Sequence, residues 1–150
     1  WAGAADNTAE ILSSIPNAIK LNPTYVLLNI GRNDISNAVS ATTYQANYIA
    51  IVNALVAAGI TVIHLTPIPE TTVTQTVLDT FVRAQYPGQF IDSSVGWVNA
   101  THLGTDGTHP NVSGHRLLSS LIVSSGLIPA SGVMTRIANT LDITTNQGYF

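Results

Sequence analysis

A chain of 150 residues is long enough to form one domain with a sizeable hydrophobic core. Apolar residues make up 45% of it and charged residues only 9%, with a net charge of −3 and five scattered basic residues, so a nucleic-acid-binding surface has no support. The sequence contains no cysteine, which excludes disulfides, thiolate catalysis and Cys-based zinc sites.

The first predicted element is a helix from about Thr8 to Lys20. Asp6 or Asn7 can cap it, and its apolar residues recur on one face, although Pro16 interrupts the register. The run from Tyr25 to Ile30 is almost continuously apolar, which predicts a strand buried on both faces. That run is also far too short to cross a bilayer, so the sequence predicts no membrane span.

The chain then alternates between helices and strands. We predict helices at Thr43 to Ala58, Thr72 to Tyr86 and Val112 to Leu121, strands at Ile60 to Leu65 and Phe90 to Asp92, and a loop from Ser93 to Gly104. In the first of these helices the residues expected to face inward are Tyr44, Tyr48, Ile51, Leu55 and Val56. Strands that alternate with helices indicate a parallel sheet with right-handed crossovers, so the predicted fold is an α/β layered domain.

The two ends of the chain differ from this pattern. Residues 1–127 are predicted to form the α/β domain, whereas residues 128–150 are polar and rich in Thr and Asn and read as an extended C-terminal tail. The chain opens at Trp1 rather than Met, so we expect a fragment, a processed product or one piece of a longer polypeptide. Together with the low charge, the Thr- and Asn-rich composition suits an extracellular or virion-associated protein.

Three segments with polar or turn-forming residues fall where the predicted strands end. They are residues 31–34 (Gly-Arg-Asn-Asp), Thr66-Pro67, and a loop in which Asp106 precedes His109 by three residues and Pro110 and Asn111 follow. In open α/β sheets, ligands bind at this edge. An Asp that bonds one imidazole nitrogen leaves the other free to accept a proton, and an Asn amide can donate to a developing oxyanion. The sequence therefore predicts the base half of a nucleophilic triad, although Asn33 taken alone is more typical of a turn residue beside Gly31.

The pattern resembles the SGNH (GDSL-type) hydrolases. Residues 31–34 match their G-x-N-D motif, and residues 106–110 match their D-x-x-H-P motif. The resemblance implies a flavodoxin-like three-layer α/β fold with a parallel sheet. It also implies His109 as general base, Asp106 as its orienting acid, and Asn33 and the Gly3 N–H as oxyanion donors, with neither a metal nor an organic cofactor.

One part of the family pattern is missing. The resemblance implies a nucleophilic Ser in a G-D-S motif at the end of the first strand, but Gly-Asp-Ser does not occur here, and Ser93, Ser94 and Ser113 are not where His109 is expected to serve them. A central strand buries several apolar side chains worth about 1.5–3 kcal/mol each, so its loss is comparable with the net stability of a domain. We therefore expect a fold that is incomplete without an upstream strand, which a preceding segment or a partner chain supplies together with the Ser.

The function predicted from these residues is a serine ester hydrolase that removes acetyl groups from a carbohydrate. The alternative is a non-catalytic binding or structural module of a fibre or appendage protein that keeps the scaffold, and acyl transfer is a third possibility. His64 is predicted to be a satisfied core or rim histidine, and Arg32 a solvated turn residue rather than a substrate contact. The histidines at 102 and 115 flank the Asp–His element, but their spacing matches no known metal motif.

Overall fold

The computed structural model describes residues 6–69 and 73–128. Its elements in chain order are α1 (Thr8–Lys20), β1 (Tyr25–Leu28), α2 (Arg32–Ser36), α3 (Ala41–Ala57), β2 (Thr61–Leu65), α4 (Val73–Gln85), β3 (Phe90–Ile91), α5 (Asn99–His102) and α6 (Val112–Ser124). Gly3 and, apart from Ile128, the predicted tail lie outside the described residues.

The three strands form one sheet in the order β1-β2-β3, and both pairings are parallel. Tyr25 pairs with Thr61 at one end of the first pairing, and Leu28 pairs with His64 at the other. This confirms the α/β fold with a parallel sheet. Within the part of the chain that the structure describes, the edge of β1 opposite β2 has no strand beside it.

Helices cover both faces of the sheet, which produces three layers. On one face, α1, α3 and α4 pack around a core that includes Ile11, Tyr48 and Leu55, against Leu28 and Val62 of the strands. On the other face, Leu118 of α6 packs with Ile63, Leu65 and Ile91. The strand β2 lies in the middle, and every residue after Thr61 in it is buried, because its alternate side chains point into the two cores.

Several predicted details need correction. The prediction that β1 is buried on both faces is wrong, since Leu27 is 39% exposed. Val56 does not face inward, since it is 58% exposed on α3. Residues 31–34 are not a simple turn, because a short helix begins at Arg32, and the predicted loop from Ser93 contains α5.

The start of α1 shows why these residues form a helix there. The Asn7 side chain accepts hydrogen bonds from the N–H groups of Ala9 and Glu10, and Glu10 reaches back to the Asn7 N–H, which completes a capping box. Pro16 lies inside the helix without ending it. The predicted bounds of α1 agree with the structure because capping and apolar spacing are both local properties of the sequence.

Candidate active site

The loop that carries Asp106 and His109 is closed at its base. The Gly104 N–H donates to the His109 carbonyl at 2.7 Å, and Leu103 and Pro110 form an isolated antiparallel bridge. Asn111 then caps α6 by accepting from the Gly114 N–H at 3.0 Å. Pro110 therefore precedes the cap of α6, and the Asp–His pair lies on a closed loop ahead of this helix.

Within this loop the carboxylate of Asp106 is bonded on both oxygens. Its Oδ1 accepts from the N–H groups of Thr108 and His109 at 3.0 Å each, and its Oδ2 lies 2.7 Å from Nδ1 of His109. The Thr108 N–H, followed by the His109 side chain, holds the pKa of Asp106 well below its usual range. In the tautomer that carries its proton on Nδ1, His109 donates that proton to the carboxylate and can accept another on Nε2, which is how an orienting acid and a general base are arranged in a nucleophilic triad.

The imidazole of His109 is open to solvent, with 79% of its side chain exposed, and Asp106 is 52% exposed. No residue in the described ranges bonds to Nε2 of His109. The base is therefore accessible to a further group from the side that the described residues leave open.

The loop that carries Asn33 is held by close packing and by a buried carboxylate. Gly31 has a φ of +122°, and a Cβ there would lie 3.0 Å from Cε2 of Tyr44, so only glycine fits this position. Asp34 is 1% exposed and accepts from both the N–H and the hydroxyl of Thr8. This contact joins α2 to the start of α1.

The amide of Asn33 faces the segment that leads into α1. Its Nδ2 donates one hydrogen to the Asp6 carbonyl at 2.8 Å, and an amide nitrogen carries a second N–H. The Asp6 carbonyl therefore lies directly beside the predicted oxyanion donor.

A cleft of about 290 Å³ joins these two loops at the carboxyl ends of β1 and β2. It is lined by Asn29, Ile30, Arg32, Asn33, Pro67, Ile68, Thr108, His109, Pro110 and His115. His109 and Asn33 thus lie on the walls of one cleft, and Asp106 contributes through its bond to His109. The volume lies just below the roughly 300–1,000 Å³ of small-molecule sites, so the cleft suits a small ligand.

Sequence reasoning missed several residues of this cleft. Asn29 was assigned to the strand, but its Nδ2 donates to the carbonyls of Leu65 and Thr66 and so joins the ends of β1 and β2. Arg32 is half-buried and bonds to Thr108 across the cleft, so it is not the solvated turn residue that was predicted. The position of a polar residue directly after a buried strand could have indicated Asn29, whereas the contact of Arg32 with a loop far along the chain has no local signature.

None of the serines considered from the sequence lines the cleft. Ser93 is fully buried and bonds to Thr66 and to the Pro67 carbonyl. The hydroxyl of Ser94 donates to Asp92, and Ser113 is exposed on α6. Thr108 is the hydroxyl residue among those lining the cleft, and its Oγ1 accepts from Arg32 at 3.4 Å. The described residues that line the cleft therefore include the predicted base and the predicted oxyanion donor but no serine.

No group of three or more His, Cys, Asp or Glu side chains that could hold a metal ion occurs among the residues that the structure describes. Over the same ranges, no helix is both long and apolar enough to cross a membrane.

Comparisons with known proteins place this fold among esterases of solved structure. A carbohydrate esterase of family 3 from Talaromyces cellulolyticus is 24% identical, with a TM-score of 0.70 over 79% of this chain and 65% of that one. A GDSL-like lipase from Bacteroides thetaiotaomicron is 18% identical, with a TM-score of 0.71 over 81% of this chain and 71% of that one. An acetyl-xylooligosaccharide esterase from Geobacillus is 17% identical, with a TM-score of 0.66 over 81% and 68%.

No protein-family model matches the sequence, and no curated protein matches it. The structural matches nevertheless confirm the resemblance at the level of the fold, which is that of the GDSL/SGNH esterases. This chain spans 65% of the length of the Talaromyces protein, so it corresponds to part of that fold.

Proposed function

We propose that this chain is part of an SGNH-type serine ester hydrolase. The observation that carries the proposal is the 2.7 Å contact between His109 and Asp106 in a loop whose His109 shares a cleft with Asn33. Two separate segments of the chain thus bring a general base and an amide donor to the carboxyl edge of a parallel sheet, where α/β proteins bind their ligands.

In the proposed reaction, a serine hydroxyl attacks the ester carbonyl while its proton passes to Nε2 of His109. The developing oxyanion accepts an N–H from Asn33 and, as the family resemblance implies, from Gly3 and the serine backbone. When the tetrahedral intermediate collapses, His109 gives the proton to the leaving alcohol and an acyl-serine remains. Water then attacks the acyl group, again with His109 as base, and releases the acid. Asp106 stays ionised throughout and stabilises the imidazolium.

We further propose that a preceding segment, on the same polypeptide or on a partner chain, supplies that serine on a strand beside β1. Two observations support this. The edge of β1 opposite β2 has no strand beside it in the described ranges, and Leu27 on this strand is 39% exposed.

The proposed substrate is an O-acetylated carbohydrate, and the proposed setting is extracellular or virion-associated. A family 3 carbohydrate esterase and an acetyl-xylooligosaccharide esterase are among the solved structures of similar fold, which supports a small acyl group on a sugar. The chemistry assigned to His109, Asp106 and Asn33 requires no metal or organic cofactor.

Hydrolysis of p-nitrophenyl acetate by the full polypeptide, including the segment before Trp1, tests the proposal. Replacing His109 by Ala removes the base and should lower kcat/KM by roughly 10²–10⁴-fold. Replacing Asn33 by Ala removes one oxyanion donor and should lower kcat by roughly 10²–10³-fold. His102→Ala is the matched control, because this imidazole accepts from the Val98 N–H and does not line the cleft.

Two results would decide against the proposal. Hydrolysis that survives His109→Ala would remove the triad, and a full polypeptide with no esterase activity would favour the rival function. That rival function is a non-catalytic binding or structural module of a fibre or appendage protein. It agrees with the observation that no serine is among the described residues that line the cleft. Activity in residues 1–150 alone would show instead that no separate strand supplies the nucleophile.

A further inference from the structure

The backbone at the end of β2 is held by side chains from both neighbouring strand ends. Asn29, which directly follows β1, donates to the carbonyls of Leu65 and Thr66. Ser93, which lies two residues beyond β3, donates to the Pro67 carbonyl at 2.8 Å. Three successive carbonyls therefore accept hydrogen bonds from side chains of other segments, which fixes the backbone of residues 65–67.

The two buried hydroxyls of this region form a chain whose direction is determined. Thr66 is 1% exposed and Ser93 is fully buried, and their hydroxyl oxygens lie 2.9 Å apart. The single hydroxyl proton of Ser93 goes to the Pro67 carbonyl, because a carbonyl can only accept. The Thr66 hydroxyl therefore donates to Ser93, and it accepts from the Ser93 N–H at 2.9 Å. Loss of either hydroxyl would leave a buried polar group without its partner.

The backbone held in this way leads into an apolar wall of the cleft, formed by Ile30, Pro67 and Ile68. Pro67 is buried, and Ile68 is half-buried. Ile68 also packs against the buried cluster that α6 covers. The position of this apolar wall therefore depends on the hydroxyl chain of Thr66 and Ser93.

The proposed reaction assigns the apolar wall to the acyl half of the ester. The oxyanion accepts from Asn33, and the alcohol oxygen lies near Nε2 of His109, which returns the proton to it. The third substituent of the reacting carbon is the acyl chain, and the apolar wall is the remaining side of the cleft. A fixed wall in a cleft of about 290 Å³ favours a short chain over a longer one.

We propose that Ile68 is a specificity-determining residue that limits the acyl group to about the size of acetyl, and that Thr66 and Ser93 are positioning residues that hold it in place. This inference rests on the proposed ester hydrolysis and deepens it, because it names the residues that select the acyl group. Ile68 contacts the acyl chain. Thr66 and Ser93 act through the backbone, since both are buried and neither lines the cleft.

Two esters that differ only in acyl length test the inference on the full polypeptide. In the wild type we expect kcat/KM to be roughly ten-fold higher for p-nitrophenyl acetate than for p-nitrophenyl butyrate, because surplus methylenes do not fit the apolar wall. Ile68→Ala cuts this wall back and should lower the acetate-to-butyrate ratio roughly ten-fold. Ile68→Val, a milder truncation, should lower it in the same direction and by less. Ile122→Ala is the matched control, because Ile122 is half-buried against the same cluster but does not line the cleft, and it should keep the wild-type ratio.

The positioning residues have a matched pair of variants of their own. Thr66→Val keeps the size of the side chain but removes the hydroxyl, so it should lower the acetate-to-butyrate ratio roughly three- to ten-fold. Thr66→Ser keeps the hydroxyl and should keep the wild-type ratio, whereas Ser93→Ala should act like Thr66→Val. The ratio is internal to each variant, so a general loss of stability or activity does not change it.

The possible failures of the inference and of the proposed function are distinguishable. Wild-type hydrolysis of the two esters at equal kcat/KM, or a ratio that Ile68→Ala leaves unchanged, would overturn the inference and leave the esterase proposal intact. A ratio that falls equally in Thr66→Val and Thr66→Ser would overturn the positioning role of the hydroxyl chain. If the full polypeptide hydrolyses neither ester, the proposed function fails and the inference fails with it.

Discussion

His64 is a buried imidazole whose hydrogen bonding is only half satisfied. Its Nδ1 lies 2.8 Å from the Tyr48 hydroxyl, and its ring stacks on Tyr86 with centroids 3.9 Å apart. Its Nε2 has no hydrogen-bond partner among the residues that the structure describes, so the prediction of a core histidine is confirmed but the prediction that it is satisfied is not. Burial lowers the pKa of His64 from 6.5 to about 4, because the charged form would lose its hydration.

This burial predicts a pH-dependent stability. Because the folded pKa lies below the unfolded value, the neutral folded form is fully favoured above pH 6.5, and its advantage is lost as the pH falls towards 4. We expect the free energy of unfolding to fall by up to about 1.4 kcal/mol per pH unit across that window. His64→Asn should flatten this part of the profile measured by urea denaturation, whereas His115→Asn, at an exposed position, should not. A profile that is the same for His64→Asn and the wild type would contradict the assignment.

At the scale of elements, the short connection between α5 and α6 positions the base. Asn111 joins both, since its Nδ2 donates to the carbonyls of Thr101 and Leu103 and its Oδ1 caps α6. The Asn111 N–H also donates to the His102 carbonyl at 2.9 Å. One side chain therefore closes the loop that holds Asp106 and His109.

Replacing Asn111 by Ala should affect both stability and activity. Loss of the cap should lower the free energy of unfolding by about 0.5–2 kcal/mol, and the loosened loop should lower kcat for p-nitrophenyl acetate. Ser40→Ala is the matched control, because Ser40 caps α3 by accepting from the Thr43 N–H and is not among the residues that line the cleft. It should cost similar stability, measured by thermal unfolding, without reducing kcat. An equal loss of activity in both variants would show that stability alone is responsible.

At the scale of the whole molecule, β1 differs from β2 in its surroundings. β2 is paired on both edges and buried on both faces, whereas β1 is paired on one edge within the described ranges and exposes Leu27 on the face that α6 partly covers. Both strands are mainly apolar, although β2 also contains Thr61 and His64. Their difference therefore arises from which neighbours are present.

The proposed preceding segment leads to a prediction for the stability of the full polypeptide. If it covers β1, Leu27→Asp should lower the free energy of unfolding by at least about 1.5–3 kcal/mol, the value of a buried leucine. Val56→Asp places the same charge at a residue that is 58% exposed on α3, and it should change stability by no more than about 0.5 kcal/mol. Urea denaturation of both variants checks this, and two equally small effects would mean that nothing covers this strand.

The sequence by itself determined whatever depends on residues close along the chain. Apolar spacing and capping located α1, α3 and α6, and alternation of strands with helices indicated the parallel sheet. The Asp106–His109 pair could also be predicted, because a spacing of three residues lets the carboxylate reach both the backbone and the imidazole of the same loop.

Only the tertiary structure decided what depends on residues far apart. It brought Asn33 and His109 to one cleft, joined Arg32 to Thr108, left Leu27 exposed and buried His64 against Tyr48. The physical reason is that strand pairing and helix packing determine the neighbours of each residue. An apolar run has the same sequence pattern whether its strand is central or has an unpaired edge.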